Sequence, residues 1–182
     1  MIIGVIGAMQ IEIDNLKKTL KNPSYESISG VEFVKGNIGD TEVVAAVSGV
    51  GKVFAAICTE AMILTYHVDM VINIGVAGTL CKELGVMGIA VADMVKVGTI
   101  ATGDMFMHDK HQKDKLHERF NAIAAEMEGG SIGHVCYVNK VPFAILRTIS
   151  DGEGGAMDYA TFAEKAAQIG IEIVVEFIQK IA

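Results

Sequence analysis

Arginine is scarce in this sequence: Arg119 and Arg147 are the only two, against a formal net charge of −7. So few guanidinium groups leave no basic patch for nucleic acid, and a polyanionic ligand is disfavoured as well. Cysteine is nearly as sparse. Cys58, Cys81 and Cys136 are odd in number, lie in apolar segments and lack CxxC spacing, so they read as reduced core residues. No apolar run reaches the roughly 18 residues that a membrane helix needs. The opening Met-Ile-Ile-Gly-Val-Ile-Gly carries no basic region of a secretory signal, which makes the cytoplasm the expected setting and a membrane an unexpected partner. Nucleotide fingerprints are missing too. Gly4 and Gly7 do not make GxGxxG, and in Ser48-Gly49-Val50-Gly51-Lys52 the glycines stand too close for a phosphate loop, with Val53 where Ser or Thr would follow the lysine. His108, His111 and His117 have no acidic or cysteine partner at metal-ligand spacing, so residues 108–119 read as a solvated loop and helix, and no metal is expected. His134 reads as a packed or capping histidine.

What the chain does have is apolar surface to bury: 51% of its 182 residues are hydrophobic and only 20% are charged. That suits one domain, residues 1–182, built on buried parallel strands. Residues 2–7 read as the first strand. A helix follows from Met9 to Leu20, with Met9, Ile13, Leu16 and Leu20 as its buried stripe and Glu12 on the flank of that stripe, in the first turn. Residues 24–48 read as a meander whose tight turn is Gly39-Asp40. A helix opens at Lys52 and runs to Tyr66, the glycines before it letting backbone approach a ligand. Residues 68–74 form a second buried strand, and Gly75-Val76-Ala77-Gly78 is expected to turn out of it. Residues 86–95 and 97–102 are both strand-like but abut at Met94-Val95-Lys96 without turn chemistry. Residues 159–181 close the chain as a helix with Phe162, Ala166, Ile169 and Ile173 inside.

The chemistry concentrates in residues 125–151. Glu126 and Glu128 are two apart, so in an extended segment both face one side and Met127 the other. One carboxylate can accept both hydroxyls of a vicinal diol, and a helix starting near Glu128 would keep that group ionised. The strand that ends this stretch is followed at once by Ser150 and Asp151, and ligands of open α/β sheets bind beyond the carboxyl ends of strands. A plainer reading stands beside this one: first-turn acids such as Glu12 and Glu128 stabilise helices, and Asp151 could cap a turn.

Six stretches in register carry a resemblance: Gly4-Val5-Ile6-Gly7-Ala8-Met9 with Glu12, Ser48 to Lys52, Asn73-Ile74-Gly75-Val76-Ala77-Gly78, Thr102-Gly103-Asp104-Met105-Phe106, Glu126-Met127-Glu128, and Arg147-Thr148-Ile149-Ser150-Asp151. Together they resemble the 5'-methylthioadenosine/S-adenosylhomocysteine nucleosidases of the purine nucleoside phosphorylase superfamily. The resemblance implies a three-layer α/β/α fold around a mixed, partly barrel-like sheet, and a homodimer. It also implies hydrolysis of the N-glycosidic bond of a small-molecule thioadenosine, without metal or cofactor. It gives Asp151 the role of acid to adenine N7, Glu12 that of base to the attacking water, and Glu128 the ribose hydroxyls. Met127 would pack on the ribose, Phe106 would stack on adenine, and backbone of Met107 would read its edge. Arg147 would help hold the acidic cluster and the water in place, and Glu126 would join the substrate-binding residues. Ser150, Val76, Ala77 and Gly78 would also contact the substrate, and Met9, Val50 and Tyr159 would take the 5'-alkylthio tail.

The sequence also departs from the family. Val76 replaces a common hydroxyl residue, and Asn73 stands where sibling phosphorylases carry a phosphate-binding arginine; both favour water over phosphate as nucleophile. Gly129 and Gly130 replace small helix formers, at an expected cost of about 1 kcal/mol each relative to alanine. A family segment of several tens of residues is missing at Val95-Lys96, which predicts that these two are not bonded neighbours; one bent long strand is the alternative. A phosphate-dependent phosphorylase and a non-catalytic nucleoside-binding or dimerisation module therefore remain alternatives to the nucleosidase.

Overall fold

The computed structural model describes residues 1–81, 84–92, 98–151 and 156–181. The junction at Val95–Lys96, and with it the expectation about its bond, lies outside the described residues.

The order of elements is β1 (Ile2–Gly7), α1 (Gln10–Thr19), β2 (Lys21–Ile28), β3 (Val31–Ile38), β4 (Thr41–Val47), α2 (Lys52–Tyr66), β5 (Met70–Thr79), β6 (Ile89–Ala92), β7 (Thr99–Thr102), α3 (Lys110–Phe120), β8 (Ala122–Glu126), α4 (Gly129–Asn139), β9 (Phe143–Asp151) and α5 (Ala156–Ile181). Period-two alternation sends successive residues of the central strands to opposite faces. Ile3, Val5, Val43, Ala45, Ile72 and Ile74 pack on α1 and α5, through Ile13, Leu16, Val174 and Ile178. Ile6, Val44, Ala46 and Val71 pack on α2 and α4, through Cys58, Met62, Ile132 and Cys136. These are the three layers expected from the resemblance. Among the described residues no helix is long and apolar enough to cross a membrane.

The sheet is mixed. Its main path is β2-β3-β4-β1-β5-β8-β7, with β1 parallel to both β4 and β5. It forks at β5: residues 71–78 pair in parallel with β9, while Gly78 and Thr79 also pair antiparallel with β8. β6 adds antiparallel to β9, and β7 adds parallel to β8. The fork gathers the carboxyl ends of β5, β8 and β9 at one place.

Several elements differ from the sequence reading. The strand expected over residues 68–74 runs on through Thr79, so Gly75 to Gly78 are strand and not a turn. Their glycines serve side chains that cross the strand: a Cβ on Gly75 would stand 2.6 Å from Glu12 Oε1 and collide with Arg147, and one on Gly78 would stand 3.0 Å from Asp151 Oδ2. The strand-like runs 86–95 and 97–102 are reduced, among the described residues, to Ile89–Ala92 and Thr99–Thr102. The inner face of α5 is rotated from the expected one: Ala166 is buried as expected, but Ala163, Ala167, Ile171, Val174 and Ile178 complete the face while Phe162, Ile169 and Ile173 flank it. Small residues bring this helix close to β9, since a Cβ on Gly170 would lie 3.3 Å from Thr148 Oγ1. His134 is exposed on α4 and neither packed nor capping.

Candidate active site

Every residue assigned a place in the site from the sequence lines one cavity of about 330 Å³ above the fork: Glu12, Glu126, Met127, Glu128, Arg147, Ser150 and Asp151, the strand residues Val76, Ala77 and Gly78, and Met9, Val50, Phe106, Met107 and Tyr159. Its surface is mostly apolar, with a few convergent polar groups, the usual make-up of a small-molecule site.

Glu12 reaches the cavity from the first turn of α1 and is buried. Its Oε2 accepts from the backbone N–H groups of Ala8 (2.7 Å) and Met9 (2.9 Å), and its Oε1 from Val76 N–H at 3.1 Å. Three backbone donors, two from the β1–α1 connection and one from β5, fix the carboxyl group. Asp151 ends β9. The pairing of β9 with β5 passes from Ala77–Ile149 to Gly78–Asp151, leaving Ser150 as an extra residue. Such a bulge breaks the alternation of faces, which is why neighbours Ser150 and Asp151 both line the cavity. The Ser150 hydroxyl lies 3.4 Å from Asp151 Oδ1.

The third carboxylate, Glu128, is the N-cap residue of α4, but its side chain does not cap the helix. The free amides of Glu128 (2.9 Å) and Gly129 (2.7 Å) go to Glu126 Oε2 instead, so the helix terminus does not serve Glu128 as the sequence reading expected. Glu128 Oε1 accepts from Gly51 N–H at 2.8 Å, which gives the glycines of Ser48 to Lys52 their use: they bring backbone to this carboxylate. Burial raises Glu128's affinity for a proton above that of an ordinary glutamate, the nearby Arg147 charge and the Gly51 N–H opposing it. Arg147, itself buried, donates through Nη2 to Asn73 Oδ1 (2.6 Å), Glu126 Oε2 (2.5 Å) and Glu128 Oε2 (3.4 Å). Asn73, fully buried, thus holds the arginine and does not reach the cavity wall.

Thr102 Oγ1 donates to Glu126 Oε1 and accepts from Gly130 N–H at 2.8 Å. The glycines at 129 and 130 are accordingly more than weak helix formers. A Cβ on Gly129 would lie 2.8 Å from Ile145 and 3.1 Å from Glu126 Oε1, and one on Gly130 would lie 2.9 Å from Thr102 Oγ1. Alanine there would disturb the glutamate's surroundings, so the expected propensity cost does not describe these positions.

The apolar part of the cavity is built around Tyr159, whose hydroxyl lies 3.3 Å from Met9 Sδ and whose ring meets Phe106 edge-on at 5.6 Å. Burial holds the phenol in its neutral form, helped by the charges of Glu12, Asp151 and Glu128 around it. The sequence reading missed Lys113. It sits on α3, in the segment read as solvated, yet is buried with its Nζ 3.0 Å from Asp151 Oδ2. Leu116, the only aliphatic residue of α3, lies one turn further along the same face and was the available signal. His108 and His117 contact the backbone carbonyls of Phe106 and Ala122.

Among the described residues nine strands form one forked α/β sheet, with buried carboxylates gathered at the fork. The chain belongs to the phosphorylase superfamily, whose family model matches residues 2–96 and 88–179. Within it the similarity is to 5'-methylthioadenosine/S-adenosylhomocysteine nucleosidases: the enzyme of that name from Staphylococcus saprophyticus is 34% identical over 228 residues, covering 98% of this chain and 100% of the relative. Among solved structures, the nucleosidase of that name from Colwellia psychrerythraea in complex with adenine superposes with a TM-score of 0.92 at 28% identity, covering 98% of this chain and 95% of that one. Futalosine hydrolase from Helicobacter pylori matches with a TM-score of 0.92 at 30% identity, over 99% of this chain and 98% of that one.

Proposed function

We propose that this protein is a hydrolase that cleaves the N-glycosidic bond of 5'-methylthioadenosine and S-adenosylhomocysteine and releases adenine. The observation that carries this reading is the convergence of Glu12, Glu128 and Asp151, from three distant stretches of chain, on one otherwise apolar cavity. Breaking a ribosidic bond puts positive charge on the sugar and negative charge on the departing purine. Asp151 protonates adenine at N7 as the bond breaks, and Glu12, held by three backbone donors, takes a proton from the water that attacks the anomeric carbon. Glu128 accepts the ribose hydroxyls, and Met127 packs against the sugar. Phe106 stacks on the base, and backbone of Met107 meets its edge. Met9, Val50 and Tyr159 receive the 5'-alkylthio group.

Water is favoured as nucleophile because Arg147 is engaged with Glu126, Glu128 and Asn73, and so is not offered to a phosphate. The reading includes a homodimer. Val53, Phe54 and Ile57 of α2 and Val138 of α4 are exposed apolar residues on two helices that pack together, Phe54 being 60% exposed, and Val50, also exposed, lines the cavity just before α2. The three cysteines are free thiols, which suits a cytoplasmic setting. A family segment absent near residues 95–96 also belongs to the reading. It is supported by the two-part family match and by an alignment of 228 residues against a chain of 182.

The test is to compare Asp151→Asn and Glu12→Gln with the unsubstituted protein. Each should lose about 10²- to 10⁴-fold in turnover, the usual worth of a general acid or base. Binding of an uncleavable substrate analogue should stay within a few-fold. Parallel loss of binding and turnover would make these acids structural.

A further inference from the structure

The buried ion pair between α3 and the end of β9 has no part in the reaction as described so far. Lys113 is 7% exposed, Asp151 is 1% exposed, and Lys113 Nζ stands 3.0 Å from Asp151 Oδ2. A buried pair of this kind is a poor device for stability, because desolvating the two charges costs about as much as their attraction returns. Lysine on a helix that otherwise faces solvent therefore calls for another explanation than holding the fold. Geometry supplies one. The two oxygens of Asp151 are differently engaged: Oδ2 faces the ammonium, while Oδ1, among the described residues, meets the Ser150 hydroxyl at a long 3.4 Å.

We propose that Lys113 is a positioning residue for the glycosidic cleavage, acting through Asp151. It fixes the carboxyl group through Oδ2, so that Oδ1 presents the proton to the purine, and its charge stabilises the carboxylate that remains. The proposal rests on the nucleosidase reading. In the reacting complex Asp151 has taken up a proton on Oδ1 and accepts from the Lys113 ammonium through Oδ2; as the glycosidic C–N bond breaks, its electron pair moves onto the purine, the Oδ1–H bond breaks and an N7–H bond forms. Negative charge is left on Asp151, beside an ammonium that keeps all its protons, while Glu12 takes the proton lost by the attacking water. Charge on Asp151 thus appears in the transition state, and an interaction realised there raises kcat more than it lowers KM.

Two nucleoside analogues separate this role from a structural one. A 5'-methylthio analogue built on 9-deazaadenine carries a hydrogen on N7 and donates it to an Asp151 carboxylate, imitating the state after proton transfer. The analogue built on 7-deazaadenine has a C–H at that position and cannot. Lys113→Met should weaken the 9-deaza analogue about ten- to hundredfold, the worth of a hydrogen bond to a charged group, while changing the 7-deaza analogue by less than a few-fold. The same variant should lose kcat on 5'-methylthioadenosine with KM nearly kept, and Lys113→Arg should recover part of both losses. Equal weakening of the two analogues, or no weakening of either, overturns the proposal while leaving the nucleosidase reading intact. If the unsubstituted protein binds neither analogue, that reading fails and takes this one with it.

Discussion

At the scale of single residues, the site is a problem of charge in a dry place. Four carboxyl groups, Glu12, Glu126, Glu128 and Asp151, and two cations, Lys113 and Arg147, are all buried. The acids outnumber their partners, and Glu128 shows the consequence, since burial raises its proton affinity above the ordinary value of 4.5. The sign follows directly. An acid whose folded value is raised favours the fold in its neutral form, so its contribution is complete below the unfolded value and is lost as pH rises through the folded one. Substrate binding runs the other way, because ribose hydroxyls donate to the carboxylate. KM for 5'-methylthioadenosine should therefore rise as pH falls, with a midpoint above 4.5, and Glu128→Gln should abolish that acid limb. A KM that is flat down to pH 4.5 would separate Glu128 from the sugar. The acids themselves were legible in the sequence because they sit in short motifs in register. Lys113 was not, because α3 is polar almost throughout and the reason for its burial, the Asp151 carboxylate, lies 38 residues away.

Elements explain what single residues cannot. Glycine usually signals a turn, and Gly75 and Gly78 were read that way; in the fold they are the places where β5 lets Arg147, Glu12 and Asp151 side chains pass. A sequence pattern shows the glycine but not the neighbour that requires it. The two positions should respond differently to alanine. At Gly75 the added methyl meets two buried side chains, so Gly75→Ala should cost about 1–3 kcal/mol of stability, the usual range for overpacking, and lower the melting temperature. At Gly78 it meets only the Asp151 carboxyl at 3.0–3.1 Å, so Gly78→Ala should lose more in kcat than in stability. Equal melting temperatures for the two variants would contradict this division. Helix α5 teaches a related point. Its period was readable, but its buried face was set by where small residues allow contact with β9, and that depends on the partner surface.

For the whole molecule, the layers could be anticipated from alternating apolar strands, since Val43 and Val44, or Ile72 and Val71, divide between the two helical faces. The fork at β5 could not, because it arises from pairing among β5, β8 and β9, far apart in the chain. The exposed face of α2 and α4 gives one expectation at this scale. Sedimentation of the purified protein at micromolar concentration should show a dimer, and Phe54→Asp should convert it to monomers; a monomeric unsubstituted protein would remove the homodimer from the reading. The central claim is that the cavity hydrolyses a thioadenosine with water as nucleophile. It is tested most directly by following adenine release from 5'-methylthioadenosine by the purified protein, in phosphate-free buffer and again with phosphate added. The expected result is release at the same rate in both. Release only with phosphate would make the protein a phosphorylase, and no release in either buffer would make it a binding module without catalysis.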